Sequence, residues 1–403
     1  MKNRWVILIA GIIIQTILGG VYAWSIFVPR LVADYGFSKG QCGNVFGVSI
    51  AVFTLAMIIG GRVLSRFGPR VAAFLGGMLF IFGYLLAASS GGQYSTLLVG
   101  IGVLGGAGIG FGYVCPLTVG MQWFPKRKGL ITGVAVAGFG GGAIVLSAVA
   151  GHFLGNGMDV LTVFKWIGLV PGGLLILCSL VLDTPDRSND ASESGSKGTV
   201  SGGGGVFTRP FILCFTAIFV GTFSGLLVIG NLTPIAMGSG LTMTQAVKGV
   251  SFFAIGNAVG RILWGVLFDR MHYKTIPSLL AFFCLGLACL FVAGKAAIFL
   301  LTATLLGFGF GGNFVIYASA LSRYFGVKEF PRLYPLCFLG YGLAGITGPA
   351  IGGYLADVTG SYATPLALSI GLTAVMAVVA HLSLRVFADD CFTVVNGISE
   401  KEV

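Results

Sequence analysis

Apolar runs of membrane-crossing length alternate along the chain with short charged or turn-rich breaks. Twelve runs are legible, at 5–29, 42–62, 71–89, 95–122, 129–152 and 161–182, then at 211–237, 245–268, 275–293, 297–322, 333–355 and 362–386. About 20 apolar residues carry a helix across a bilayer, so the pattern predicts an all-α membrane protein of twelve transmembrane helices. The first run follows Lys2 and Arg4. It is longer than a signal-peptide core and no A-x-A-type site follows it, so it is expected to be retained.

The break after the sixth run reads DRSNDASESGSKGTVSGGGG. This polar, Gly/Ser-rich segment is expected to be a flexible linker. It divides the chain into a six-helix half (1–182), a cytoplasmic linker (183–209), a second six-helix half (210–387) and a cytoplasmic tail (388–403). The halves repeat. Gly61 to Arg70 and Gly265 to Lys274 both follow G-x-x-x-[D/S]-R-x-x-x-[R/K]. Gly106, Gly108, Gly110 and Trp123-Phe124 recur 201 positions later as Gly307, Gly309, Gly311 and Tyr324-Phe325. Two related halves are a signature of transporters built from parallel repeats.

Composition narrows the class. The chain is 56% hydrophobic and 9% charged, against about 25% charged residues in soluble proteins. That excludes a soluble enzyme and a disordered chain. A net charge of +11 would suggest nucleic acid in a soluble protein. Here the cations sit in short loops, eighteen on the side of the termini and five on the other. The bias predicts cytoplasmic termini for a multi-pass protein of the cell inner (plasma) membrane. No nucleic-acid partner is expected; the lipid bilayer is. The eight cysteines contain no CxxC pair, so neither metal, cofactor nor disulfide framework is expected. The glycine series 106–112 and 138–142 lie deep in apolar runs and read as close helix contacts rather than phosphate loops.

Candidate chemistry centres on Arg261. Of the 24 Lys and Arg residues it alone falls inside a span, whereas all thirteen acids fall in loops or at span ends. An intramembrane charge costs at least about 2.5–3.5 kcal/mol and usually faces a cavity and a partner. With no carboxylate at its depth, an anionic substrate is the natural counter-charge, and a guanidinium fork suits a carboxylate. The alternative is snorkelling to the cytoplasmic interface, since Asp269 lies only eight residues on. Asn257, one turn earlier on the same face, is placed to orient the guanidinium or bond the substrate; packing between helices is its alternative.

The 6+6 plan and the paired loop motifs resemble the major facilitator superfamily. Ser65 stands where that family usually has Asp. GGVYAWSIFVPRL (19–31), WFPKRKGLITGVAVAG (123–138), GITGPAIGGYLAD (345–357) and NAVGR (257–261) narrow the resemblance to the monocarboxylate transporters and their oxalate/formate antiporter relatives, over nearly all of 5–386. The resemblance implies that Arg261 binds carboxylate and that Tyr22 lines the pocket. It also marks departures. Asn257 replaces an acid thought to take part in proton coupling in animal members, Ile26 replaces a pocket lysine, and Tyr341 replaces the second positive residue of the oxalate/formate relatives. One arginine without that lysine suits one carboxylate better than two.

Tyr113, Tyr317 and Tyr341 are the other intramembrane phenols placed on the cavity. Asn231 and Asn313 are further polar candidates, and Phe314 and Phe338 candidate apolar walls. Gly61, Arg62, Arg66, Arg70, Gly265, Asp269 and Arg270 are expected to serve topology and cytoplasmic gating. No paired carboxylates, HExxH or Ser-His-Asp spacing give catalysis a foothold. The expected function is secondary active transport of small monocarboxylates of the lactate/pyruvate type, by alternating access and coupled to H+. Organic anion exchange is the alternative mechanism; a receptor for an organic acid and a channel are less well supported. An ancillary protein subunit is left open.

Overall fold

The computed structural model describes residues 4–124, 128–185, 208–291 and 294–385. Most of the expected linker (186–207), the tail 388–403 and the basic pair Lys126-Arg127 lie outside the described residues. The described residues contain helices and no strand, as the runs of apolar sequence require in a medium that leaves no backbone group water to bond with.

The first half runs α1 (Arg4–Gly19), a 3-10 stretch (Gly20–Ile26), α2 (Val28–Tyr35), α3 (Lys39–Phe67) and α4 (Pro69–Ala88). It continues with α5 (Tyr94–Leu97), a π stretch (Leu98–Gly105), α6 (Gly106–Trp123), α7 (Lys128–Gly155) and α8 (Val160–Val181). The second half runs α9 (Arg209–Gly230), α10 (Leu232–Gly238), α11 (Met243–Met271), α12 (Thr275–Phe291), α13 (Ala296–Thr359) and α14 (Ala363–Leu382). Eleven stretches are long and apolar enough to cross a membrane, and one of them, Met243–Phe291, holds both α11 and α12. Twelve crossings result. α13 holds two of them: the rings of Phe314 and Tyr341 are 5.2 Å apart, whereas 27 residues of straight helix would separate them by about 40 Å. The helical path therefore folds back between them.

The repeat is visible in how the helices start and turn. Ser38 and Gln41 form a reciprocal capping box at α3, and Thr242 and Gln245 form the same box at α11, 204 positions later. Each box satisfies orphan N–H groups of a first turn. The motif then turns the chain. In the first copy Gly68 takes φ +85° and Pro69 opens α4; in the second, His272 occupies the same motif position with φ +52°. A side chain there meets steric strain that glycine does not.

Within the first half α3 packs on α6, α4 on α8 and α1 on α7; within the second, α11 and α9 pack on α13, and α12 on α14. The halves meet where α3 packs on α13 and α7 on α11. Large apolar side chains such as Leu177, Val375 and Leu382 stay on the outer surface, the disposition expected where lipid replaces water.

Candidate functional site

The site is built on a helix crossing that only glycines permit. A Cβ on Gly256 or Gly260 of α11 would strike the carbonyl oxygens of Thr304 and Phe308. A Cβ on Gly307 or Gly311 of α13 would strike those of Phe253 and Asn257. The two backbones thus lie in direct contact, as small residues allow in lipid. Asn257 and Arg261 project from α11 at this crossing.

Arg261 is 7% exposed and Asn257 is fully buried. The Arg261 Nε donates to Asn257 Oδ1 at 3.2 Å. Its Cζ lies 4.4 Å from the Phe314 ring centroid, a cation–π contact in which the ring face offsets part of the lost hydration. The guanidinium lies close enough to the phenols of Tyr22 and Tyr113, both from the first half, to interact with each. Among the described residues no Asp or Glu pairs with it. Asn257 Nδ2 is buried without a hydrogen-bond partner, and such a donor costs about 1–3 kcal/mol unless something bonds to it.

Within reach of the guanidinium's charge, the hydroxyls of Tyr22 and Tyr341 share a hydrogen bond of 3.0 Å between the halves. Two hydroxyls in one bond leave one O–H free to donate elsewhere. Aromatic rings enclose the pair. Phe139 and Phe310 stand edge-on to Tyr22, and Phe53, Phe314 and Phe338 surround Tyr341. The result is a buried aromatic cluster around one cation, with an unpartnered amide N–H and one phenol O–H left to donate. It suits a small anion whose body is apolar and whose head accepts hydrogen bonds.

The fold thus gathers Arg261, Asn257, Tyr22, Tyr113, Tyr341, Phe314 and Phe338. It places three other candidates elsewhere. Asn231 spends its amide on Leu227 O and Pro349 O and its Oδ1 on the Tyr362 hydroxyl, knotting the end of α9 to α13 and to the start of α14. Asn313 donates to Gly309 O and Phe310 O and turns its unpartnered Oδ1 against Gly221 of α9, behind the ring layer. Tyr317 is wholly buried near Cys214 and Cys337, its hydroxyl unpartnered. The cluster also includes residues the sequence did not single out. Phe53, Phe139 and Phe310 are walls, Tyr334 lies within the field of Arg261, and Gln15 donates to Tyr113 O at 3.0 Å. Only Gln15, a polar residue in an apolar run, carried a sequence signal.

In the loop motif, Arg70 pairs with Asp183 at 3.4 Å and Ser65 bonds back to Arg62 O; Arg62, Arg66, Asp269 and Arg270 are exposed. On the side away from the termini the halves are joined by Ser147 with Ser251 at 2.8 Å and Thr233 with Ser25 at 3.3 Å.

The Major Facilitator Superfamily profile matches residues 7–279 and 234–390. The chain belongs to the Major Facilitator Superfamily. It is a membrane transporter of that fold, as expected from the repeat. Among its relatives are YhjX, an uncharacterised MFS-type transporter of Escherichia coli K12, 27% identical over 86% of each chain, and the oxalate:formate antiporter of Oxalobacter formigenes, 26% identical over 88% of this chain and 86% of that one. Rat monocarboxylate transporter 13 is 25% identical over 89% of this chain and 83% of its own. Two solved structures share the fold. The inward-open xylose transporter XylE from E. coli has a TM-score of 0.74 at 14% identity, covering 93% of this chain and 95% of that one. An inward-facing bacterial homologue of the human lysosomal transporter Spinster has a TM-score of 0.72 at 16% identity, covering 96% of this chain and 98% of that one.

Proposed function

We propose that this transporter carries small monocarboxylates of the lactate/pyruvate type by alternating access, together with a proton. The observation that carries the reading is Arg261: a buried guanidinium between the two halves, held by Asn257 and Phe314 and given no carboxylate by the described residues. A substrate carboxylate supplies the missing charge. The unpartnered Asn257 Nδ2 and the free phenol supply further donors, and the rings of Phe53, Phe139 and Phe310 accept a short apolar body. One cation matches one carboxylate. With both termini cytoplasmic, the joined side is the outer one, so the described conformation is closed to the outside.

Exchange of organic anions is the second reading, favoured by the likeness to a protein named for oxalate:formate antiport. Uptake of labelled lactate, pyruvate, formate and oxalate into proteoliposomes, with and without a pH gradient, separates the two. The symport reading expects lactate or pyruvate uptake accelerated by an inward proton gradient. Uptake indifferent to the gradient but dependent on an internal anion replaces it with exchange, and oxalate outcompeting lactate by a wide margin removes the monocarboxylate assignment.

A further inference from the structure

The seam between α3 and α13 brings backbone against backbone. A Cβ on Gly43 would strike Pro349 O, one on Gly47 would strike Gly345 O, and one on Gly353 would strike Lys39 O. At the outer end of this seam stands Asp357 of α13. Its Oδ1 accepts from Lys39 N–H at 3.2 Å and its Oδ2 from Gly40 N–H at 2.8 Å. These are the first two residues of α3, on the opposite half of the protein. The third N–H, of Gln41, is already taken by Ser38 Oγ. Asp357 thus completes the first turn of a 29-residue helix from across the interface, placing negative charge where the helix dipole is positive. The arrangement is one-sided. α11, the repeat partner of α3, carries the same capping box, but among the described residues no carboxylate accepts from its first two N–H groups.

We propose that Asp357 is the latch of the outer gate and sets which side the transporter rests open to. Its two bonds exist only while the halves are closed on the side away from the termini. Opening that side strips α3 of two acceptors at once and separates the carboxylate from the helix terminus. The glycine seam brings the helices close enough for the latch to reach, and the latch makes the close approach favourable. The proposal rests on rocking of the halves, not on the identity of the substrate, so failure of either reading is recognised separately.

Double electron–electron resonance on the full chain in lipid tests it. Spin labels at Asn156 and Ser239 report the outer side; labels at Phe67 and Met271 report the side of the termini. Asp357→Asn keeps the shape but offers one acceptor oxygen where the carboxylate offers two. The closed-to-open ratio on the outer side should fall about tenfold, the size expected for losing charge-assisted hydrogen bonds. The other side should close correspondingly. Asp357→Glu, which keeps the charge, should retain the wild-type distribution better than Asp357→Asn. Asp357→Ser gives the same reading should the amide variant not purify folded. Unchanged distributions in a folded Asp357→Asn or Asp357→Ser protein overturn the latch, as does a shift in Asp357→Glu as large as in Asp357→Asn.

Discussion

The crossing of α3 with α6 and the crossing of α11 with α13 are two copies of one piece of architecture. Gly106 and Gly110 of α6 meet the carbonyls of Ser49 and Phe53; Gly307 and Gly311 of α13 meet those of Phe253 and Asn257. The amide of Met57 lies beside Gly110 as that of Arg261 lies beside Gly311. Residue for residue, then, Phe53 corresponds to Asn257 and Met57 to Arg261, 204 positions apart, and Tyr113 corresponds to Phe314, 201 positions apart. The backbone geometry is shared while the chemistry is not. One copy presents a ring and a thioether, the other an amide and a guanidinium. The repeat supplies the frame, and a few side chains at equivalent positions turn one copy into an apolar wall and the other into an anion site.

The largest test of that asymmetry is the same substitution, to Gln, at the two equivalent positions. Arg261→Gln should weaken monocarboxylate binding by on the order of 100-fold or more, the scale of about 3–5 kcal/mol for breaking a buried ion pair. Met57→Gln should leave binding within about twofold, since the thioether at this equivalent position has no charge to lose. Equilibrium binding to purified protein compares the two. Arg261→Lys should fall between them, because it keeps charge without the planar fork.

Next in size is Asn257. Removing its amide with Asn257→Ala should cost about 1–1.5 kcal/mol of binding, near tenfold. Asn257→Asp sharpens the point by giving Arg261 an internal partner. The ionised carboxylate competes with the substrate's, so affinity at pH 7.5 should drop. The guanidinium beside it holds that carboxylate ionised, so the drop should persist at pH 5.5. Wild-type protein is measured in parallel, and an Asp variant that binds as tightly as wild type at pH 7.5 would mean the side chain points away from the guanidinium.

The glycines separate frame from chemistry. Gly110→Ala and Gly311→Ala both force a Cβ into backbone and should each cost about 1–3 kcal/mol of stability. Only Gly311→Ala should also lower substrate affinity, because it displaces the turn carrying Arg261. Melting curves set beside binding isotherms of the folded fraction distinguish the two effects.

The smallest effect concerns the paired turns. His272→Gly should raise stability by about 1 kcal/mol by relieving a positive φ, whereas Gly68→Ala should lower it by a similar amount. Thermal unfolding in the same detergent reads both.

Much of this was legible in the sequence. Lipid forces long apolar runs, so the twelve crossings and their repeat were readable, and a lone cation in such a run marks itself. The walls were not. Phe53, Phe139 and Phe310 are indistinguishable by type from the many phenylalanines that face lipid or neighbouring helices, and only the fold turns them inward. Asn231 did not join the cluster because, at the break between α9 and α10, its side chain is taken up by one local carbonyl, Leu227 O, and by two distant partners, Pro349 O and the Tyr362 hydroxyl. Asp357 gave no local sign either, since its partners lie more than 300 residues away in sequence. The break of the first span into a 3-10 stretch at Gly20–Ile26 also lies below the resolution of an apolar run.

The central claim is that the substrate carboxylate completes the charge of Arg261. Equilibrium binding of labelled lactate, pyruvate, formate and oxalate to wild-type and Arg261→Gln protein, both verified as folded, tests it most directly. The account predicts that wild-type protein binds a monocarboxylate and that Arg261→Gln shows no saturable binding of it up to about 100 times the wild-type Kd. A Kd for Arg261→Gln within about twofold of wild type, or wild-type protein that binds none of the four acids, would contradict it.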